Sequence, residues 1–311
     1  MGLHECAAWI RENDSFLLLT HRRPDGDTLG SAAALCHALK RLGKQAWLYR
    51  NPEVTERYEP FVASYYAPAD FRPAYFIALD IADVTMLPKG FDGSVDLVLD
   101  HHGSNSQFGL MNEVRPEAAA CGELILDLIP LLCGNLEKEE ADLLYVAVST
   151  DTGCFCYGNT TADTFRAAAE LYEAGADNRR LNKLLFRTSS RPRLMLEGMI
   201  YTGLRSARDG AVNVAVVTLD MMSRAGATED DCDDIASLAG RVAGNRVSVT
   251  VREMEPGRCK VSLRTDGVLD ASAACARFGG GGHRMAAGCE LSATPEKTVT
   301  QMLSVIDELW G

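Results

Sequence analysis

Asp100, His101 and His102 follow one another directly after the apolar run Val95-Asp96-Leu97-Val98-Leu99. An acid beside two imidazoles can bind a cation, move a proton or contact a phosphate. Three more apolar runs end in carboxylates. Phe16-Leu17-Leu18-Leu19-Thr20 leads to His21-Arg22-Arg23-Pro24-Asp25-Gly26-Asp27, Tyr75-Phe76-Ile77-Ala78-Leu79 to Asp80, and Leu144-Tyr145-Val146-Ala147-Val148 to Ser149-Thr150-Asp151. If these ends converge, Asp25, Asp27, Asp80, Asp100 and Asp151 share one small region. Like charges at short range raise pKa values or demand a counter-ion. A pair of divalent metals is the economical answer, with His21 and His101 adding nitrogen ligands. Mixed imidazole and carboxylate ligation suits Mn²⁺ better than an all-oxygen Mg²⁺ site, with Mg²⁺ or Co²⁺ as the alternatives.

The elements that must position these residues follow from periodicity. The run 95–99 has the length and branching of a buried strand, and in open α/β sheets ligands bind where such strands end. A helix is expected over residues 3–13 and a strand over 15–20. After the loop from His21 to Asp27, Leu35, Ala38, Leu39 and Leu42 fall on one helical face that Gly43 closes. Strands are expected at 45–49, 75–79 and 95–99, a βαβ rhythm that implies a parallel sheet. Residues 52–73 leave room for one short helix. Helices are expected at 118–132 and 137–149, which puts Asp151 behind a helix rather than a strand, and Thr160-Thr161-Ala162-Asp163 resembles a capping box before a further helix reaching about Ala174.

The Pro-containing stretch from Phe186 to Arg193 has linker character. The organisation expected is therefore 1–186 as a first α/β domain, 187–206 as a linker with a helix from about Leu194 to Ser206, and 207–311 as a smaller α/β domain. In the latter, Val212–Leu219, Arg246–Arg252 and Cys259–Arg264 read as strands, and a last helix starts at Pro295 with Thr294 as its cap. Consecutive glycines Gly279-Gly280-Gly281-Gly282 precede His283. Such a run lets backbone N–H groups turn toward an anion. It matches neither the Walker loop nor the GxGxxG fingerprint.

The 311 residues are long for a single core. A net charge of −12 argues against sequence-blind affinity for long duplex nucleic acid, yet allows a small phosphorylated substrate whose charge is neutralised locally. No apolar run is long enough for a membrane span and no leader pattern opens the chain, so a cytoplasmic location with no membrane partner is expected. The ten cysteines are scattered without a CxxC pair, which points to reduced, buried side chains rather than disulfides or structural zinc.

Taken in order, His21-x-x-x-Asp25-x-Asp27, Asp80, Asp100-His101-His102 and Thr150-Asp151-Thr152-Gly153 resemble the DHH phosphoesterase superfamily. Ser262-Leu263-Arg264 with the glycine run and His283 resembles its associated C-terminal domain. The resemblance spans essentially the whole chain, and its two-domain length is most similar to the bacterial oligoribonuclease and pAp-phosphatase branch, the NrnA-like proteins. It implies an N-terminal parallel-sheet domain with flanking helices, a smaller C-terminal α/β domain and an active-site cleft between them.

The same resemblance implies roles for individual residues. His21, Asp25 and Asp80 would hold one Mn²⁺, and Asp27, Asp80, His101 and Asp151 the other, with Asp80 bridging. Asp100 would orient a histidine, and His102 would face the substrate, contacting phosphate or aiding the leaving group. Arg264, Gly280, Gly281, Gly282 and His283 would bind the terminal phosphate or nucleotide end. The implied reaction is hydrolysis of short RNA, linear dinucleotides such as pApA, or pAp, through two-metal activation of a bridging water. A RecJ-like exonuclease and a non-catalytic nucleotide sensor are the competing readings, and a homodimer stays open.

Overall fold

The computed structural model describes residues 2–232 and 234–310. The chain divides into two compact units, Met1–Thr188 and Ser189–Gly311.

The first unit is built on five parallel strands, β1 (Phe16–Leu19), β2 (Ala46–Leu48), β3 (Tyr75–Leu79), β4 (Leu97–Asp100) and β5 (Met111–Val114), in the order β2-β1-β3-β4-β5. Register aligns Phe16 with Tyr75 and Leu79 with Leu99, so β3 and β4 stop at one level and deliver Asp80 and Asp100 side by side. Alternation along the strands separates two faces. Phe16, Leu18, Ile77, Leu79, Leu97 and Leu99 join the large core, while Leu19, Ala78 and Val98 form a smaller one with Phe76, Phe91 and Phe108. Burial on both faces explains why these strands read as unbroken apolar runs.

The helices of this unit are α1 (Leu3–Glu12), α2 (Gly26–Arg41), α3 (Glu59–Val62), α4 (Cys121–Cys133), α5 (Lys138–Asp151), α6 (Ala162–Glu173) and α7 (Asn178–Phe186). The apolar stripe expected at 35–42 is the second half of a longer helix. Asp25 caps α2 by accepting hydrogen bonds from the N–H groups of Asp27 and Thr28, so Asp27 stands in the helix's first turn rather than in a loop. Helix α2 is also buried nearly all round between its neighbours, with Leu29, Leu35 and Leu39 inside. Each such leucine contributes about 1.5–3 kcal/mol of burial. Strand β5 was not expected from the sequence, because Met-Asn-Glu-Val on a sheet edge carries neither an apolar run nor alternation.

The second unit contains α8 (Arg191–Thr202), β6 (Arg205–Ala207), β7 (Val212–Val217), α9 (Leu219–Ala225), β8 (Val247–Glu255), β9 (Arg258–Thr265), α10 (Ala271–Ala276), β10 (Gly281–His283), β11 (Ala286–Leu291) and α11 (Pro295–Trp310). Its sheet runs β10-β11-β9-β8-β7-β6 and is antiparallel except between β7 and β8. One face packs Val249, Val261 and Leu263 on Met302 and Ile306 of α11. The other packs Ala215 and Val217 on Leu196 and Ile200 of α8, the helix within the stretch expected to act as linker. All ten cysteines are free, and no helix of the described residues is long and apolar enough to cross a membrane.

Helices α2 and α5 touch through a glycine. A Cβ on Gly30 would stand 2.4 Å from the carbonyl oxygen of Leu143 and 3.1 Å from the Cβ of Ala147. Gly30→Ala should therefore destabilise the full chain by about 1–3 kcal/mol in urea denaturation, as overpacking does. Gly198→Ala in α8, where a Cβ meets nothing within 4 Å, should instead stabilise by about 0.5–1 kcal/mol. Equal stability of Gly30→Ala and the wild type would contradict this close approach.

Candidate metal centre

Four segments of the first unit converge on one cluster. From the loop after β1 comes His21, whose Nε2 is 3.6 Å from Asp25 Oδ1 and 3.6 Å from Asp80 Oδ2. From the end of β4 comes His101, whose Nε2 is 3.4 Å from Asp80 Oδ1 and 3.7 Å from both Asp27 Oδ2 and Asp151 Oδ2. Asp80 thus lies between two cradles, His21–Asp25–Asp80 on one side and Asp27–His101–Asp151 on the other. Within each cradle the donor atoms lie within 4.8 Å of one another, and Asp80 forms a third such group with His101 and His102.

Local structure fixes each donor. Asp80 follows the last residue of β3 in the left-handed region at φ 58°, a conformation that Asp tolerates better than most residues and that costs of order 1–3 kcal/mol. The imidazoles are held from behind: His21 Nδ1 is 2.8 Å from the carbonyl oxygen of Arg22, and His101 Nδ1 is 3.1 Å from that of Ala118. Both rings therefore turn Nε2 toward the carboxylates. Asp27 accepts hydrogen bonds from the N–H groups of Cys121 and Gly122 at 2.7 and 2.9 Å, and from Ser31 Oγ at 3.1 Å. The N-terminus of α4 thus faces Asp27, which itself stands in the first turn of α2, and the partial positive charge of both helix ends favours a carboxylate there. Thr28 fastens the entry to α2, donating to the Leu79 carbonyl oxygen at 2.8 Å and accepting from His21 N–H.

Asp100 stands apart. It reaches no metal cradle; its Oδ1 is 2.8 Å from His102 Nδ1 and its Oδ2 accepts from Asn105 Nδ2 at 2.5 Å. It orients His102, whereas His101 is oriented by a backbone carbonyl. The His102 side chain is 39% exposed, with its Nδ1 engaged by Asp100. The remaining predicted residues lie in the second unit. Arg264, Ala286 and His283 pair in one row across β9, β11 and β10, with Arg264 and His283 exposed. The run expected as an anion-binding loop is in part an edge strand. A Cβ on Gly280 would stand 2.3 Å from the Gly288 carbonyl oxygen, and one on Gly282 2.6 Å from that of Ala286, so two of the glycines also answer to backbone packing.

The charges in the cluster are out of balance. Burial, reinforced by Asp80 and Asp151, pushes Asp27 well above the carboxylate range. Burial likewise raises Asp80, against the opposing pull of His101, and brings Asp151 to about 6. Burial works against charge on the imidazoles, yet Asp25 raises His21 to about 9, and Asp80 with Asp27 raises His101 to about 10. Asp25 moves the other way: loss of water opposes its ionisation, but His21 and the α2 N–H groups prevail and lower it. The raised groups mark the cluster as a place short of positive charge.

A divalent ion fits that place on an independent count. Asp80 Oδ1 is buried and lacks a hydrogen-bond partner, with His101 Nε2 and His102 Nδ1 at 3.4 and 3.5 Å. An unpaired buried carboxylate oxygen is costly, and coordination to a cation removes that cost. Sequence reasoning missed Thr28, Ser31, Asn105, Asn159 and the Ala118 carbonyl. Only Ser31, one helical turn beyond Asp27, and Asn105, five residues beyond Asp100, carried a local signal.

Every raised group in the cluster makes the same contribution: its stabilisation is full below its ordinary pKa and is lost as pH rises through the folded value. For Asp151 that window runs from 3.8 to about 6, and for His21 and His101 from 6.5 to about 9 and about 10. The chelator-treated protein should therefore melt at progressively lower temperature from pH 6 to pH 10. A saturating divalent cation should raise the melting temperature more at pH 8.5 than at pH 6, since binding must displace these protons. A cation effect independent of pH would contradict this picture.

Comparison with known proteins shows the family of the chain. Residues 15–148 match the DHH family, N-terminal domain, and residues 211–310 match the DHHA1 domain. The chain is 37% identical over 278 residues to a protein of Thermus thermophilus named bifunctional oligoribonuclease and PAP phosphatase NrnA, covering 88% of this chain and 83% of that one. It is 25% identical to the Bacillus subtilis protein of the same name, with 91% of each covered. Among solved structures, an exopolyphosphatase-related protein from Bacteroides fragilis superposes with a TM-score of 0.82 at 22% identity, over 98% of this chain and 95% of that one, a likeness of fold. The motifs at His21, Asp80, Asp100 and Asp151, the two domain matches and the Thermus relative agree: the chain belongs to the DHH family with an associated DHHA1 domain, in the group of the NrnA proteins.

Proposed function

We propose that this chain is a metal-dependent phosphoesterase. It hydrolyses short oligoribonucleotides and linear dinucleotides such as pApA to mononucleotides, and pAp to AMP, in the cytoplasm. The observation that carries this reading is the pair of cradles sharing Asp80, with one buried carboxylate oxygen left unpartnered. It is supported by relatives named oligoribonuclease and PAP phosphatase over most of their length.

His21, Asp25 and Asp80 would hold one divalent cation, and Asp27, His101 and Asp151 together with Asp80 the other. When bound, such a pair supplies a water of lowered pKa and charge stabilisation on the phosphoryl oxygens. We favour Mn²⁺, because each cradle mixes imidazole nitrogen with carboxylate oxygen.

The chain's own side chains do the rest. Asp100 holds His102 by Nδ1, which leaves Nε2 to hydrogen-bond a phosphoryl oxygen or deliver a proton to the leaving oxygen. Arg264 offers a planar fork to a terminal phosphate, and His283, in the same row of the sheet, adds a further donor. The backbone of Gly280, Gly281 and Gly282 completes this substrate-binding set. With a net charge of −12 and one localised phosphate-binding set, the chain suits a short substrate rather than a long strand.

Steady-state kinetics on pAp, pApA, five-nucleotide RNA, long single-stranded DNA and pyrophosphate test the reading. Activity is expected on the first three and should fall to background in Asp80→Ala. His102→Ala should lose roughly 10²–10⁴-fold in kcat, the worth of a positioned proton donor. Arg264→Ala should act mainly through KM, by about ten- to a hundredfold, as the loss of one charged hydrogen bond of about 1.5–3 kcal/mol implies. Turnover confined to long DNA would move the chain to an exonuclease of RecJ type, and silence on every substrate would leave a nucleotide sensor.

A further inference from the structure

Eight residues beyond Asp151 the chain returns to it. The side-chain Nδ2 of Asn159 lies 3.1 Å from the backbone oxygen of Asp151, 3.5 Å from its Oδ2, and 3.0 Å from the carbonyl oxygen of Ala119. Asp151 is the last residue of α5, where backbone carbonyls have no intrahelical donor. Asn159 supplies one, and with its second hydrogen takes hold of the segment leading into α4.

That segment already serves the site twice. The Ala118 carbonyl oxygen faces His101 Nδ1, and the N–H groups of Cys121 and Gly122 hold the carboxylate of Asp27. One amide therefore joins the helix end bearing Asp151 to the segment that orients His101 and Asp27. These are the three donors of a single cradle. The other cradle, His21–Asp25–Asp80, has no contact with Asn159 among its hydrogen bonds and ion pairs.

The path between the two residues is held under strain. Gly153, Cys154 and Phe155 lie in succession in the left-handed region, at φ 55°, 56° and 65°. Two of them lack glycine's freedom, and such backbone persists only where its surroundings over-determine it. The N–H groups of Cys156 and Tyr157 both close on the Thr152 carbonyl oxygen, so the reversal is tight and brings Asn159 back over the helix end.

We propose that Asn159 is a positioning residue for one cation only: it sets the affinity of the Asp27–His101–Asp151 cradle and leaves that of His21–Asp25–Asp80 unchanged. The inference rests on the two-cation reading of the site. Ligand-orienting groups of this kind are typically worth 10–100-fold in metal affinity.

Calorimetric titration of the full-length, substrate-free protein with Mn²⁺ tests it. The wild type should show two binding events. Asn159→Asp is nearly isosteric but has no N–H to donate, and its added charge alone would tighten a cation. One event should nevertheless weaken about 10–100-fold, with the other within twofold. Asn159→Ala should weaken the same event, and Asp151→Asn should identify it as belonging to the Asp151 cradle. Two unaltered events in the Asn159 variants, or two events weakened alike, would overturn the role of Asn159 alone. Fewer than two ions bound by the wild type would overturn this inference together with the two-cation reading on which it rests.

Discussion

Repulsion among carboxylates at one end of a parallel sheet is the constraint on which the rest of this structure depends. Asp25, Asp27, Asp80 and Asp151 gather around two imidazoles, and three of these acids are pushed above their ordinary range. A fold tolerates such a gathering only by fixing each charge and by supplying compensating charge. The N-termini of α2 and α4 give part of it, the imidazoles another part, and the unpartnered Asp80 oxygen marks where the remainder belongs.

The scaffold follows from that demand. The aligned ends of β3 and β4 present Asp80 and Asp100 together, the left-handed turn at Asp80 takes the chain out of the sheet there, and the buried α2 carries Asp27 in its first turn. Gly30 lets α5 approach closely enough for Asp151 to reach His101. Packing in the core and geometry at the site are thus one problem: loosening α2 against α5 would separate two ligands of the same cradle.

Much of this was legible in the sequence. Strands buried on both faces leave unbroken apolar runs, so β1, β3 and β4 were readable, and the acids that follow them could be placed at the sheet edge. The candidate donors could be listed because residue type and order survive without coordinates, and the fold brings six of them into one cluster. Other parts depend on tertiary contact. The start of α2 was hidden because Asp25 serves as both cap and donor. Strand β5 lacks any periodic signal. The groups behind the ligands, Asn105, Asn159 and the Ala118 carbonyl, act through partners that only folding brings near. The glycines before His283 read as a ligand loop, and their packing against Gly288 and Ala286 could not be foreseen from composition.

Crystals of the protein grown with Mn²⁺, measured at the manganese absorption edge, test the central claim most directly. The account predicts two anomalous peaks per chain, one among His21, Asp25 and Asp80 and the other among Asp27, His101 and Asp151, with Asp80 touching both. A single peak, or a peak ligated by Asp100 in place of Asp80, would contradict it.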